Sequence, residues 1–221
     1  LILPERNIAG DIKISEIMEL VEPVYPNETT VSMFLSGSRG WSHEQVRHRE
    51  NISQRSTRYV DENESPWVRH PLIEAYLTEK EKEGYENDAL LGHYVDGKMQ
   101  MPWAGTAIEQ CRRTYSETVD RLQQWLLSKG VDKLTARKQA RGAARGYLGN
   151  ALRTEMIFTT SVDGWKEIIR QRLNAAADAE IRCLYGMVLD ELKKSRYASE
   201  FDKFMTVPAS DGLGVVLKEI S

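Results

Sequence analysis

The sequence predicts one α+β domain over residues 1–221, and three observations predict it. Two stretches, "TTVSMFLSG" and "LRTEMIFTTSV", alternate apolar and polar residues with the period of a strand. Longer stretches repeat apolar residues every three or four positions, the period of a helix. No internal repeat, low-complexity run or linker separates the two kinds of segment.

In the first stretch Val31, Met33 and Leu35 alternate with Ser32, Phe34 and Ser36, and Gly37 ends the strand. "WSHEQVRHR" is rich in helix formers after Ser42, so a short helix capped by Ser42 feeds the arginine-rich loop beyond it. Pro71 opens a helix through "LIEAYLTEKEKE" that stops near Gly84, its charged end a solvated face. "YENDALLGHYVDGKMQMPWAG" reads as loops around short segments, broken at Gly92, Gly97, Pro102 and Gly105.

From Thr106 to Lys129 the residues Ile108, Cys111, Tyr115, Val119, Leu122 and Leu126 form a helical stripe, with Gly130 as its stop. A second helix runs from about Asp132 to Ala144 and carries Arg137, Lys138 and Arg141, with Arg145 just beyond. In the second strand Leu152, Thr154, Met156, Phe158, Thr160 and Val162 share one face, and Arg153 and Glu155 the other. Asp163 and Gly164 then turn the chain, and Asp163 caps one long helix from Trp165 to about Lys194.

Composition narrows the function classes. The 221 residues are 41% hydrophobic and 29% charged, ordinary for a folded, water-soluble chain in the cytoplasm. No apolar run reaches the length of a membrane span, and no signal-peptide pattern opens the chain, which starts at Leu1 as a trimmed product would. A net charge of −3 argues against coating nucleic acid. Cys111 and Cys183 lie far apart in helical patterns and read as buried free thiols of a reducing compartment. His43, His48, His70 and His93 show no metal-ligand spacing with them, so no metal site is expected. Glycine-rich phosphate loops and the nucleophile elbow are absent from the sequence.

Two features stand out against this background. "VRHRENISQRSTRYV", residues 46–60, gathers Arg47, Arg49, Arg55 and Arg58 with hydroxyl and amide side chains between them. Guanidinium groups beside hydroxyls suit anionic oxygens, and Ser56 and Arg58 can share one phosphate in a turn. The plainer alternative is a surface loop whose arginines pair with local acids such as Glu44 and Glu50. Arg172 is the second feature, because helical spacing puts it between Ile169 and Ala176 on a buried face. A guanidinium there needs an anion, either a ligand or a buried acid such as Glu180 or Glu155.

"GSRGWSHEQVRHRENISQRSTRYV" resembles the signature of the flavin-dependent thymidylate synthases, an Arg-His-Arg triplet followed by Ser-x-Arg-Tyr. The residues carrying the match are Ser42, His43, Glu44, Arg47, His48, Arg49, Ser56, Arg58 and Tyr59. About a hundred residues on, "ARGYLGNALRTEMIFTTSVDGWKEIIRQRLNAAADAEIR" resembles the family's second block, with Arg145, Arg172 and Glu180-Ile181 in the right layout. The resemblance implies the flavin-dependent thymidylate synthase fold, a central and mostly antiparallel sheet flanked by long helices. It also implies reductive methylation at C5 of a uridine nucleotide monophosphate, dUMP to dTMP. FAD, NADPH and 5,10-methylenetetrahydrofolate would take part, in a homotetramer with shared active sites and with no nucleic-acid or membrane partner.

By position the same resemblance assigns roles. Ser56, Arg58 and Arg145 would take the nucleotide phosphate, while Glu44, Arg47 and Gln54 would line the base. Arg172 would be catalytic, meeting charge that develops on the uracil oxygens. Arg47, His48, Arg49, Ser161 and Glu167 would face the flavin.

The sequence departs from the pattern mainly on that flavin side. Six residues rather than seven separate Arg49 from Ser56. "VYPNETT" stands where relatives carry Ser/Thr-Pro-x-Glu-His, and Ser161-Val162-Asp163 replaces Asn-x-Arg. Glu167 replaces an Asn, Ala176 a His, and the N-terminal strand and helix of relatives are not evident. These losses leave two alternatives beside dUMP methylation. One is methylation of UMP, as in relatives from nucleoside-antibiotic pathways; the other is a nucleotide-binding relative without catalysis. A nucleic-acid module built on the arginine-rich loop and "ARKQARGAAR" is the competitor from another class, but no stacking or nucleic-acid motif supports it.

Overall fold

In the computed structural model the residues described are 11–13, 30–82, 93–95, 98–100 and 103–218. Alternation makes the strands: Val31, Met33 and Leu35 are wholly buried, as are Met156 and Phe158 on the facing strand. In chain order the first elements are β1 (Asp11–Lys13), β2 (Thr30–Ser38), α1 (Arg39–Gln45), β3 (Asn51–Gln54) and β4 (Trp67–Arg69). Then come α2 (Pro71–Lys82), β5 (His93–Val95), β6 (Lys98–Gln100), α3 (Trp103–Ser128) and α4 (Lys133–Ala144). The last are β7 (Arg153–Ser161), α5 (Val162–Arg172), α6 (Ala179–Lys194), β8 (Thr206–Pro208) and β9 (Val215–Leu217). The architecture is α+β with a small antiparallel sheet, as the sequence predicts.

The described residues fall into two compact units. One is drawn from 12–54, Val68–Ile73 and 153–221, and its sheet has the order β2-β7-β3 with both pairings antiparallel. Met33 lies opposite Phe158 and Leu35 opposite Met156, while Ile52 of β3 meets Phe158 from the other side. The buried sheet face packs on Trp165, Ile168 and Ile169 of α5 and on Leu184, Tyr185, Val188 and Leu192 of α6. Arg153 and Glu155 take the opposite face, as expected, and pair with each other at 2.5 Å.

Trp165 anchors this core. It is fully buried, its ring meets Phe158 edge-on at 5.3 Å, and its Nε1 donates to the Val31 carbonyl at 3.0 Å. Trp165→Phe keeps a ring but leaves that buried carbonyl without its donor, so a loss of about 2 kcal/mol is expected from the urea midpoint. An unchanged midpoint would show that the bond contributes nothing.

The other unit, drawn from Arg55–Trp67 and 74–152, is built on a helical hairpin. Gly130 adopts a left-handed φ of 82° after α3, and Asp132 caps α4 by accepting from the Leu134 and Thr135 amides at 3.1 and 3.0 Å. Ala136, Ala140 and Ala144 recur every four residues along α4 and are completely buried, a smooth face that lets the helices approach closely. Tyr115, Val119, Leu148, Leu152 and Trp67 complete this second core.

Several expectations are corrected. The strand continues past Gly37 because Gly37 and Ser38 still pair with Thr154 and Arg153, and Ser38 rather than Ser42 caps α1 through a 3.0 Å bond from the Trp41 amide. Ser161, not Asp163, caps α5 by accepting from the Gly164 amide. The single helix from Trp165 to Lys194 is two helices. The Asn174 side chain accepts from the Ala176 amide in a tight turn, and Asp178 caps α6 by accepting from the Glu180 amide. α3 begins at Trp103, ahead of Thr106, and part of the expected arginine-rich loop is strand β3. Part of the segment read as loops forms the paired strands β5 and β6. Both cysteines are free, but half-buried rather than buried. The helix end expected near Gly84 lies outside the described residues. So does most of the N-terminal region, described only at β1.

Candidate active site

The sheet unit brings the Arg-His-Arg segment to the end of α5. A 3-10 turn, Val46–His48, follows α1, and Arg49 then takes a left-handed conformation with φ 55°. Among the described residues Arg49 is the only non-glycine with positive φ, and it reverses the chain into β3. The turn carries His48 to Arg172, whose Nε donates to His48 Nε2 at 2.9 Å. Arg172 Nη2 donates to the Glu44 carbonyl at 2.8 Å, at the C-terminal end of α1. Its Nη1 donates to Glu44 Oε2 at 3.2 Å.

The inward Arg172 therefore has an acid partner, but it is Glu44 rather than Glu180 or Glu155. Glu180 instead accepts from the Ser38 amide and hydroxyl at 2.8 and 2.7 Å, and its burial raises its pKa above the ordinary carboxylate range.

Burial first, and then the Arg172 guanidinium, lower the His48 pKa from 6.5 to about 4, with Glu44 pulling the other way. Arg47 and Arg49 flank the ring in sequence with further positive charge. The unfolded chain takes up this proton near 6.5 and the folded chain near 4, so in that window the unfolded state binds more protons. The His48 contribution to stability is then full above about pH 6.5 and falls as pH drops toward 4. Urea midpoints across that window should slope less in His48→Gln than in the wild type. Equal slopes would sink this assignment.

The other expected residues of this unit divide. Arg47 is largely exposed and reaches Glu44 at 3.5 Å. Gln54 Nε2 donates to Ser42 Oγ at 3.1 Å and Thr154 Oγ1 at 3.2 Å, which fixes the amide on the sheet. Ser161 and Glu167 do not join the cluster. The Ser161 hydroxyl is engaged in capping α5, and Ser161 precedes Arg172 by eleven residues, about 16 Å along a helix. Glu167 accepts from Gln171 at 2.9 Å and sits 3.6 Å from Arg170, about 140° around the helix from Arg172.

The helical unit holds the remaining candidates. The Tyr59 amide donates to the Ser56 carbonyl at 3.1 Å, the tight turn expected for Ser56 and Arg58. Arg58 is exposed, its stem runs beside Gly142 of α4, and no hydrogen bond or ion pair engages its guanidinium among the described residues. Arg145 is exposed in a 3-10 turn directly after α4.

Residues not singled out from the sequence hold this loop in place. Arg141 donates to the Tyr59 carbonyl at 3.1 Å and to Asp61 at 2.5 Å, and Arg112 donates to the Ser65 carbonyl at 3.2 Å. Arg55, inside the arginine-rich stretch 46–60, bonds Glu62 and Ser65 and so serves the loop itself. Lys138 lies 4.7 Å over the Tyr59 ring and lowers the Tyr59 pKa. Helical spacing alone signals that Lys138, Arg141 and Arg145 share a side of α4, but not what they meet. Among the described residues no helix is long and apolar enough to cross a membrane, and no three His, Cys, Asp or Glu side chains gather as metal ligands would.

The family described as thymidylate synthase complementing protein matches residues 16–195. A flavin-dependent thymidylate synthase of Corynebacterium diphtheriae is 32% identical over 209 residues, covering 94% of this chain and 74% of that protein. One from Mycobacterium tuberculosis is 34% identical over 197 residues, covering 87% and 68%. One from Mycolicibacterium gilvum is 35% identical over 157 residues, covering 70% and 54%. Similarity runs through both signature blocks and most of the length, and the chain belongs to the flavin-dependent thymidylate synthase family.

Proposed function

We propose that this chain carries out reductive methylation at C5 of a uridine nucleotide, dUMP to dTMP, in the cytoplasm and as a homotetramer with shared active sites. The observation that carries the reading is the meeting of Arg172, from the second signature block, with Glu44 and His48 from the first. Segments 124 to 128 residues apart converge there, and they are the two segments that the resemblance assigns to substrate and flavin.

In this reading Ser56, Arg58 and Arg145 bind the nucleotide phosphate, and Glu44, Arg47 and Gln54 border the base. Arg172 stabilises negative charge on a ring oxygen as the C5–carbon bond forms, a role suited to a donor fixed in advance. Three of its five N–H groups are engaged, which leaves one on each terminal nitrogen for that oxygen.

Part of the donor set fits an anionic dinucleotide such as FAD. Arg47 and Arg49 are exposed cations on the turn, and Arg39 Nη1 at the start of α1 is buried with no acceptor among the described residues. Ser161 and Glu167 do not fit that ligand, the first being a helix cap and the second a like charge. When bound, FAD supplies hydride received from NADPH, and 5,10-methylenetetrahydrofolate supplies the carbon.

The test is anaerobic turnover with FAD, NADPH and 5,10-methylenetetrahydrofolate, offering dUMP and UMP side by side. A 5-methyl product from dUMP supports the proposal, and a product from UMP alone moves the chain to the antibiotic-pathway reaction. Silence with both leaves a binding role.

A further inference from the structure

Arg172 is held by a specific hydrogen-bond polarity. Its Nε carries one hydrogen and can only donate, so the 2.9 Å contact makes His48 Nε2 an acceptor. A ring that accepts at Nε2 is neutral and keeps its single proton on Nδ1. With the Glu44 carbonyl on Nη2 and the Glu44 carboxylate on Nη1, all three guanidinium nitrogens are tied to one turn of chain. A guanidinium is planar, so three such ties fix its orientation as well as its place. The left-handed Arg49 directly after His48 indicates that the backbone accepts an unfavourable conformation to keep the ring there.

We propose that His48 is a positioning residue: its neutral ring, protonated at Nδ1, accepts the Arg172 Nε–H and aims the unengaged N–H groups at the pyrimidine oxygen. What Arg172 meets rests on the reading above; the tautomer and the tie to Arg172 do not. Burial and the facing guanidinium both disfavour the charged ring, which keeps it an acceptor at neutral pH. Glu44 is the one acid that opposes them, and its carboxylate is already shared between Arg172 and Arg47.

The direct test is nitrogen NMR on the whole chain with 15N-labelled histidine, His48 being identified by the signals lost in His48→Gln. The expected ring has bare Nε2 and protonated Nδ1 at neutral pH. In Arg172→Met it relaxes toward the ordinary tautomer mixture, and its pKa rises. A proton on Nε2 in the wild type, or a ring indifferent to Arg172→Met, overturns the proposal whatever the enzyme does.

The second readout is kinetic. Gln can present an oxygen near the position of Nε2, so His48→Gln should keep kcat within about tenfold of the wild type. His48→Leu cannot, and it should lower kcat about 100-fold with little change in nucleotide KM, the loss typical of a misplaced catalytic group. Equal losses in the two variants, or a loss in KM alone, overturn the positioning role. If the wild type turns over neither nucleotide, the functional reading fails while the NMR result still decides the tautomer.

Discussion

Arg172→Ala produces no measurable 5-methyl nucleotide, yet still folds, at a stability cost of about 2 kcal/mol. The two halves of this expectation have different causes. Glu44 is partly exposed and keeps Arg47 as a partner, and His48 Nε2 sits on a half-buried turn. Water can therefore reach the freed acceptors, and the remaining cost is that of hydrogen bonds from a guanidinium that is itself only 15% exposed. Catalysis has no such substitute. Losing one fixed donor at a developing oxyanion costs about 10²–10³ in kcat, and here both outward N–H groups go together. Arg172→Lys should not recover activity, because one ammonium cannot satisfy three acceptors in a plane and still face a ligand. Arg170→Ala is the control, since Arg170 is exposed and, among the described residues, pairs with Glu167 and the face of Phe204. Equilibrium dialysis with dUMP separates the roles of Arg172: retained binding assigns it to the chemical step, lost binding to the ground state. Full turnover in Arg172→Ala would end the assignment.

How far the sequence discloses such a site depends on the range of the interaction. The alternation of Val31, Met33 and Leu35 identifies a buried strand face, and the structure buries all three. Nothing in that alternation says that Met33 lies opposite Phe158, because register is a pairing property of two distant segments. That Ser38 caps α1, where the sequence suggested Ser42, follows from the same pairing, which carries β2 as far as Ser38. The break after Arg172 was illegible for a different reason. "LNAAAD" continues a helix-compatible composition, and only the side-chain bonds of Asn174 and Asp178 reveal the turn. Helical spacing marked Arg172 as inward and offered Glu180 or Glu155 as its acid, but periodicity cannot say which distant segment meets it. The partner is Glu44, in the last turn of α1 just ahead of the 3-10 turn that carries His48, while Glu180 is engaged by Ser38 and Glu155 by Arg153. The resemblance located the arginines, and only the fold supplied their partners.

That same break in the helix supports the second large effect, a loss of about 3–5 kcal/mol in Arg182→Ala. Arg182 is almost wholly buried on α6 and was not singled out by its spacing. Its Nη1 donates to the Ala175 and Ala177 carbonyls at 3.2 and 2.5 Å, its Nε to the Leu213 carbonyl at 3.2 Å, and its Nη2 to Asp211. One guanidinium thus ties the turn after Arg172 to the loop between β8 and β9. Alanine would leave three carbonyls without this donor and a void where the side chain lay. Asp211→Ala should cost less, because Asp211 is half exposed and the three carbonyls still hold the cation. Hydrogen exchange distinguishes a local clasp from general destabilisation. The Leu217 amide donates to the Leu173 carbonyl at 2.9 Å and the Lys218 amide to the Met205 carbonyl at 2.8 Å. In Arg182→Ala both should lose protection well below the melting temperature, while amides of β7 keep theirs. If Leu217 stays protected and the melting temperature is unmoved, the clasp is not what holds this turn. If protection goes, the loosened residue is Leu173, the immediate neighbour of Arg172, and the clasp then bears on the orientation of the guanidinium to which the proposed function gives the catalytic role.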